Sequence, residues 1–491
     1  ETVVFDETDR NNAVYSAYPD EEVVISGGKQ ITGWQTTEIN GVTAWVADVP
    51  QGEDFMALYG KDGHLPTTFY PENSYFIGEP VSDPTSVGGD STMSFYQLDK
   101  ENMPEFIADD EVYIRILNSP WTEQINKIMS VDFESGIIRI DVGEKTMSYS
   151  GNGFRYRFEN IKSMLKNPGQ WYLDIAESKV YYVPQDGESI DGFSLTYGYL
   201  SALMTANKTD NISFRNIVFS DTRRDRTPRK IGQGCNGLYP SISFEESNGI
   251  IFDGCTVRNI GFNGIYFGLF CRDCAVKSCR FDSIGGTACS VSHSFKKKDI
   301  EFPENMTGNF IFTNNLVEHF SRVYQSGEGL LIGHCDGAEV SYNTIHDGYY
   351  TGISCGWVWG LAESPTNNIK VSHNLIYDIG QLALSDMGGI YTLGKQPGSS
   401  LTYNVIHNVS HCDFPHSGYY FDSESGYGGN GIFLDEGSSY LEINHNLIYD
   451  TTGGALAKHE EGAGLSITNN IFAFTGDFPF ITDKVVNNMF I

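Results

Sequence analysis

The distribution of apolar and polar residues changes near residue 200, where a short pattern begins to recur. In each copy an apolar residue is followed three positions later by Asn or Cys, and two positions after that by another apolar residue. Most copies lie 24 to 31 residues apart. The recurring Asn or Cys positions are Cys255, Cys279, Asn315, Asn343, Asn374, Asn404, Asn446, Asn470 and Asn488.

A repeat of this kind is typical of a parallel β-helix, in which each coil turns at the same place and the inward Asn or Cys residues form a ladder. A leucine-rich repeat would need Leu at fixed offsets together with helical segments, and the sequence lacks both. We therefore predict an all-β chain built as a right-handed parallel β-helix, with an inserted β-sandwich-like domain near the N-terminus.

Each coil carries a second predicted strand that begins at a glycine or another small residue. Because side chains alternate along a strand, the second residue of each copy should point inward and the fifth outward. Coils stack about 4.8 Å apart, so the outward residues should form a column on one face. The strand starts are Gly264, Ala288, Gly329, Gly352, Gly389, Gly431 and Gly454, and the fifth positions in the later coils are Gly333, Gly356, Leu393, Asp435 and Lys458.

The pattern also predicts the domain boundaries. Residues 1–30 read as strands of the β-helix, and residues 198–491 contain the repeat. Between them, residues 31–197 contain alternating segments such as Thr43–Val49 and Gly136–Val142, which indicate antiparallel strands with one solvent-exposed face. The alternative is a set of irregular strands that decorate a single β-fold.

Composition narrows the function. The chain of 491 residues has a net charge of −31, which disfavours nucleic acid and anionic membranes as partners because both require a basic surface. No apolar run approaches the ~18 residues of a membrane-spanning helix. The missing initiator Met and the ends that fall within the pattern predict a processed or trimmed chain, and we expect a secreted or periplasmic bacterial protein. The oligomeric state is not predicted.

Nine scattered cysteines do not suggest a disulfide framework. Cys271 and Cys274 have the spacing of zinc ligands, but no second pair completes a four-ligand site. We therefore expect no metal and no other cofactor.

Two acidic turns carry the candidate chemistry. Asp386 lies three residues before its predicted strand, and Asp435 lies in the outward column of the next coil. A pair of carboxyl groups is the minimum requirement for cleaving a glycosidic bond, since one protonates the leaving oxygen and the other attacks or activates water. Glu436 competes with Asp435 for its role, and Lys458 is a candidate for keeping the partner ionised. Alternatively, both aspartates only cap turns.

Several neighbours of these acids are candidate substrate-binding residues. The position after the outward slot contains His334, Trp357, Glu436 and His459, and Tyr391 lies on the strand after Asp386. Trp357 and Trp359 are two residues apart, so in a strand they would share a side and could stack on a sugar; burial in the core is the alternative.

Two segments that depart from the repeat are predicted to flank the site. Phe414–Asn430 lengthens the coil between the two aspartates with Tyr, Gly and acidic residues. Thr222–Lys230 contains four arginines and a lysine, which indicates either a solvated loop or, in its Arg223–Lys230 part, an anion-binding arm for an acidic or sulfated sugar.

Three runs of the sequence resemble the β-helical glycosidases of glycoside hydrolase family 141: residues 352–360, residues 384–394 and Asp435–Ser439. The segments 25–34 and 171–183 fit the same group, and the architecture is also similar to that of family 120 β-xylosidases. The resemblance implies a retaining or inverting glycosidase, α-L-fucosidase-like or xylanase/xylosidase-like, that acts on a plant or algal polysaccharide or oligosaccharide. It implies that Asp386 and Asp435 are the acid pair. The long segment between the acids and the turn Ala457–His459 depart from the family pattern, which leaves the substrate open.

Two other classes remain. A polysaccharide lyase that acts on an acidic glycan needs a Lys, Arg or His base, and Lys458 and the Arg223–Lys230 cluster are compatible with that requirement. A non-catalytic carbohydrate-binding β-helix would bind sugars without turnover.

Overall fold

The computed structural model describes residues 1–9, 12–72, 74–109, 111–141, 154–227, 229–292, 306–412, 428–459, 461–476 and 484–491, except for residues 81–92. Almost all regular structure in these ranges is β-strand. The described residues include 3₁₀ turns at Lys100–Asn102, Glu105–Ala108, Lys162–Met164 and Gln233–Cys235. Within the described ranges no helix has the length and apolar character needed to cross a membrane.

Three long parallel sheets, here called sheets 1, 2 and 3, form a right-handed β-helix and confirm the predicted fold. Each coil contributes one strand to each sheet in turn. Sheet 1 contains Val3–Phe5, Met204–Asn207, Pro240–Glu245, Asn263–Phe267, Cys289–Val291, Leu330–Ile332, Ile353–Cys355, Met387–Thr392, Gly429–Leu434 and Leu456–Lys458.

Sheets 2 and 3 follow sheet 1 within each coil. Sheet 2 contains Val14–Ser16, Ser213–Arg215, Ile251–Asp253, Ala275–Lys277, Gly308–Thr313, Asp336–Ser341, Asn367–Ser372, Lys395–Thr402, Ser439–Asn444, Ser466–Thr468 and Lys484–Val486. Sheet 3 contains Val23–Ser26, Ile217–Ser220, Thr256–Ile260, Arg280–Ile284, Leu316–Glu318, Thr344–Gly348, Leu375–Ile379, Val405–Val409, Leu447–Thr451, Ile471–Ala473 and Met489–Phe490.

The inward ladder predicted from the recurring Asn is present between sheets 2 and 3. The Asn374 Nδ2 donates to the Val340 carbonyl in the preceding coil and to Asn404 Oδ1 in the following one, each at 3.0 Å. The same pattern runs from Asn315 to Asn488. Since each buried amide satisfies backbone groups of adjacent coils, the ladder fixes the register of the coils.

Apolar residues of all three sheets fill the interior of the helix in one continuous core. In sheet 1 the second residue of each copy lies in this core, as the alternation predicts; Leu330, Ile353, Ile390 and Ile432 are fully buried and aligned in register. Cys271 and Cys274 also lie in this core, with their thiols close to backbone carbonyls. No group of three metal-ligating side chains occurs in the described ranges.

Between the first coil and the second, the chain forms antiparallel sheets. The largest contains Phe69–Tyr70, Phe76–Pro80, Met93–Gln97, Tyr113–Ser119, Thr122–Asp132, Ile137–Asp141 and Phe154–Glu159, with Arg229–Ile231 at one edge. Two sheets of four strands contain Gln35–Ile39, Val42–Asp48, Trp171–Asp174 and Lys179–Tyr182, and Gly28–Ile31, Leu58–Gly60, Gly63–His64 and Leu195–Gly198. The proposed domain limits at residues 30 and 197 stay a prediction.

The largest antiparallel sheet contacts the β-helix beside sheet 1. The hairpin between Tyr113–Ser119 and Thr122–Asp132 places the Pro120 carbonyl 2.9 Å from the backbone nitrogen of Ser385, which donates to it. The guanidinium of Arg155 donates to the Ala383 carbonyl and to the Cys412 thiol. These contacts hold the turn that precedes the strand Met387–Thr392.

Candidate active site

Asp386 lies in that turn, one residue before its strand. Its backbone is left-handed, with φ of 58°, a conformation in which Asp and Asn are enriched. Only 6% of Asp386 is exposed, and its Oδ1 makes no hydrogen bond within the described part of the chain. A buried carboxyl without a donor favours the neutral form.

Asp435 lies on the next coil, directly after the strand Gly429–Leu434, and is 8% exposed. Both of its carboxyl oxygens have partners. The Tyr391 hydroxyl donates to Oδ2, and His459 Nδ1 lies 2.9 Å from Oδ1. A carboxylate accepts hydrogen bonds only, so the His459 tautomer with a proton on Nδ1 fits this contact.

The environments of the two aspartates therefore differ, although they lie in one electrostatic neighbourhood. Burial raises the pKa of Asp386 well above its ordinary value, and the charges of Asp435 and Glu436 raise it further. Burial, Asp435 and Asp386 also raise the pKa of Tyr391, so its hydroxyl remains a donor. The site thus places a carboxyl whose surroundings favour the neutral form near a carboxyl that receives two hydrogen bonds.

Two residues of this neighbourhood have no signal in the repeat pattern. Glu328 is fully buried two coils before Asp386, and neither of its carboxyl oxygens makes a hydrogen bond within the described ranges. Burial raises the pKa of Glu328 well above the ordinary value, and the nearby Ser354 side chain lowers it by a smaller amount. The Tyr350 hydroxyl donates to the Asp386 carbonyl at 2.7 Å. Burial raises the Tyr350 pKa, and the charges of Asp386, Glu328 and Asp435 raise it further. We call Glu328, Asp386, Asp435 and Glu436 the carboxyl cluster.

The register of the last sheet 1 strand differs from the predicted one. Leu434 pairs with Lys458, so His459, and not Lys458, follows at the level of Asp435. The prediction aligned Gly454 with Gly431 and was wrong by one residue in this coil. His459 therefore supplies the contact that was assigned to Lys458. Glu436, one residue beyond Asp435, is partly exposed, and its carbonyl accepts from the Gly394 nitrogen.

The tryptophan pair is not arranged as predicted. The strand ends at Cys355, and Trp357 has a left-handed backbone with φ of 74°, so the two residues do not share one strand face. Trp357 is buried and its Nε1 donates to the Ser354 hydroxyl at 3.1 Å. The Trp359 ring is partly exposed and meets Trp357 edge-on at 5.7 Å.

His334 is also buried. Its Nε2 lies 3.0 Å from the Trp357 carbonyl, and burial lowers its pKa. In this arrangement His334 positions the backbone beside the tryptophans. Tyr391, Leu331 and Phe433 pack with Trp357 in a second apolar cluster outside the main core. The Tyr391 hydroxyl connects this cluster to Asp435.

Two segments were predicted to flank the site, and the structure describes them to different extents. Of Phe414–Asn430, residues 414–427 lie outside the described residues. In the arginine segment, Arg226 is paired with Asp54 and Glu111, and Arg224 is buried. These residues belong to the contact between the antiparallel sheets and the β-helix, so a freely solvated loop is the wrong description of them. The side chains of Arg229 and Lys230 lie outside the described part.

Comparison with known proteins agrees with this fold. The model of the family described as right handed beta helix region matches residues 305–478. No curated protein matches the chain. A solved structure described as a glycoside hydrolase is 21% identical with a TM-score of 0.76, covering 96% of this chain and 87% of that chain.

Two further solved structures are more distant. A complex of XylC with xylose is 12% identical with a TM-score of 0.44, over 97% of this chain and 76% of that chain. The GH136 lacto-N-biosidase from Eubacterium ramulus is 14% identical with a TM-score of 0.39, over 60% and 52% of the two chains. The comparisons confirm the β-helix and do not distinguish family 141 from family 120.

Proposed function

We propose that this protein is a glycoside hydrolase in which Asp386 is the general acid and Asp435 is the nucleophile or general base. The observation that carries the proposal is the asymmetry of the two carboxyl groups. Asp386 is buried, its Oδ1 has no hydrogen-bond partner among the described residues and its pKa is raised, whereas Asp435 receives hydrogen bonds from Tyr391 and His459. Opposite protonation states of two neighbouring carboxyls are what glycoside hydrolysis requires.

In the proposed reaction, protonated Asp386 gives its proton to the glycosidic oxygen as the carbon–oxygen bond breaks. Asp435 then either bonds to the anomeric carbon or removes a proton from the attacking water. The hydrogen bonds from Tyr391 and His459 orient the Asp435 carboxylate for either role. The partly exposed Trp359 offers a ring on which a sugar can stack.

The substrate class follows from the resemblance in sequence, and we propose a fucosyl- or xylosyl-containing plant or algal glycan. The solved structure described as a glycoside hydrolase, which has the same fold over most of this chain, is consistent with the proposal. A β-helix alone does not specify an activity, so the argument depends on the carboxyl cluster.

The test is turnover of aryl fucosides, aryl xylosides and the corresponding polysaccharides by the wild type and by Asp386→Asn and Asp435→Asn. We expect each variant to lose about 10²-fold or more of kcat, the scale of a general acid or base. Asn tolerates the left-handed backbone of Asp386, so the change affects the carboxyl alone. Asp450→Asn is the matched control, since Asp450 is exposed on sheet 3 with a similar φ of 52°.

Equal turnover by Asp386→Asn and the wild type would reject this assignment. An unsaturated product that absorbs in the ultraviolet would identify a lyase instead. Sugar binding without turnover of any substrate would identify a non-catalytic protein.

A further inference from the structure

A separate cavity of about 440 Å³ lies between the antiparallel sheets and the turns that lead from sheet 3 to sheet 1. This volume is within the range of small-molecule sites. Four guanidinium groups line it, which is unusual in a chain with a net charge of −31. The four residues are Arg115, Arg157, Arg224 and Arg322.

Two of the four are neutralised by protein carboxylates. Arg115 pairs with Glu123 and, at 2.6 Å, with Glu159, and Arg157 pairs with Glu159 at 2.8 Å. These pairs are buried or nearly so, and they fix the wall formed by the antiparallel sheets. Asp62, at the edge of the cavity, is exposed.

Arg224 and Arg322 have no carboxylate within 4.0 Å in the described part of the chain, and neither side chain makes a hydrogen bond there. Arg224 is only 8% exposed. Its guanidinium lies over the Tyr324 ring at 5.6 Å, and that of Arg322 lies over Tyr349 at 5.4 Å. Stacking on a ring holds a guanidinium in place while its N–H groups stay available in the plane.

A neighbouring histidine is affected by the positive potential. Burial lowers the pKa of His64 to about 4, and the charges of Arg224 and Arg322 act in the same direction. His64 is therefore neutral and does not compete for an anion. Its Nε2 lies 2.9 Å from the Ile260 carbonyl. A second histidine at the cavity, His319, has its Nδ1 2.9 Å from Asp282 Oδ1.

The charge of Arg224 acts on the Glu159 carboxylate, but that carboxylate already pairs with Arg115 and Arg157. Positive charge is therefore in excess at the cavity, and an anion bound there would offset it. We propose that this cavity binds the carboxylate or sulfate group of an anionic saccharide, held by Arg224 and Arg322. The choice of a saccharide rests on the proposed glycosidase function, whereas the anionic group follows from the two arginines. Arg224 belongs to the arginine-rich segment that was predicted as an anion-binding arm, and it lines the cavity.

The test is isothermal titration calorimetry of the wild type with glucuronate, with sodium sulfate and with glucose, which has the ring of glucuronate without its carboxylate. We expect glucuronate, sulfate or both to bind at one site, and glucose to bind at least tenfold more weakly. Arg322→Gln should weaken binding of the anion about tenfold or more, the scale of one hydrogen bond to a charged group. The interaction should also weaken with added NaCl.

Arg258→Gln is the matched control, because Arg258 is on the surface, paired with Glu22 and away from the cavity. Competition between sulfate and glucuronate shows whether one site takes both. No binding of either anion, equal binding of glucose, or affinity unchanged in Arg322→Gln would overturn the proposal.

Turnover of neutral aryl glycosides is measured in parallel, so that the two proposals can fail separately. Anion binding by a protein without hydrolase activity would overturn the proposed function and leave the cavity assignment. Hydrolysis without anion binding would overturn the cavity assignment alone.

Discussion

The hydroxyl of Tyr391 gives the most direct test of how Asp435 is held. Tyr391→Phe removes the donor to Asp435 Oδ2 and leaves the ring contacts in place, at 5.5 Å from Phe433 and 6.2 Å from Trp357. A hydrogen bond to a charged group contributes roughly 1.5–3 kcal/mol, which corresponds to about ten- to 150-fold in rate if it acts in the transition state. His459 still holds Oδ1, so we expect the lower half of that range.

The assay is kcat/KM on the best aryl glycoside, together with thermal unfolding of the same preparation. We expect the free energy of unfolding to fall by no more than about 3 kcal/mol, because one hydrogen bond to a carboxylate is lost and the packing is kept. Tyr403→Phe is the control, since Tyr403 is half-exposed and stacks on His373 and His445 far from the cluster. A folded Tyr391→Phe with kcat/KM within twofold of wild type would refute the reasoning.

Three further outcomes follow from the structure. Glu436→Gln removes a negative charge that raises the Asp386 pKa, so the alkaline limb of the kcat/KM profile should move to lower pH; a shift to higher pH would contradict the assigned role. Folding holds Glu328 protonated above its ordinary pKa of 4.5, so its contribution to stability falls as pH rises past that value. Glu328→Gln should therefore gain stability over wild type above about pH 4.5 and match it below, and a gain independent of pH in thermal unfolding would argue against this. Asn374→Ala should lower the free energy of unfolding by about 2–5 kcal/mol in urea denaturation, because it leaves buried groups of adjacent coils without partners, whereas the exposed Asn207→Ala should change it little.

The fold could be predicted because the repeat is encoded locally. Each inward Asn bonds to the next coil, so its spacing in the sequence is the length of a coil. The register of sheet 1 follows for the same reason from Gly264 to Gly431. It fails in the last coil, where the prediction started the strand at Gly454. The structure instead pairs the larger Leu456, and not Ala455, with Ile432.

Less of the candidate site than of the fold could be predicted from the sequence. Asp386 and Asp435 stand out because acids interrupt apolar strands. Glu328 lies between two glycines and reads as a turn, and its burial depends on the coils above it. The strand assumed for Trp357 ends two residues earlier, where Gly356 adopts a φ of 116°. A local sequence pattern does not determine whether a turn residue is buried or where a strand ends.

The contacts that Arg155 and Pro120 make with the turn before Asp386 have a consequence for the order of folding. Arg155 is 228 and 257 residues away from its partners Ala383 and Cys412 along the chain. Coils can pair with their immediate neighbours early, but contacts across such distances close late because long loops must be ordered first. Recovery of activity during refolding should therefore lag behind recovery of the β-sheet signal. Docking of the antiparallel sheets onto the coils is the step that fixes the turn before Asp386.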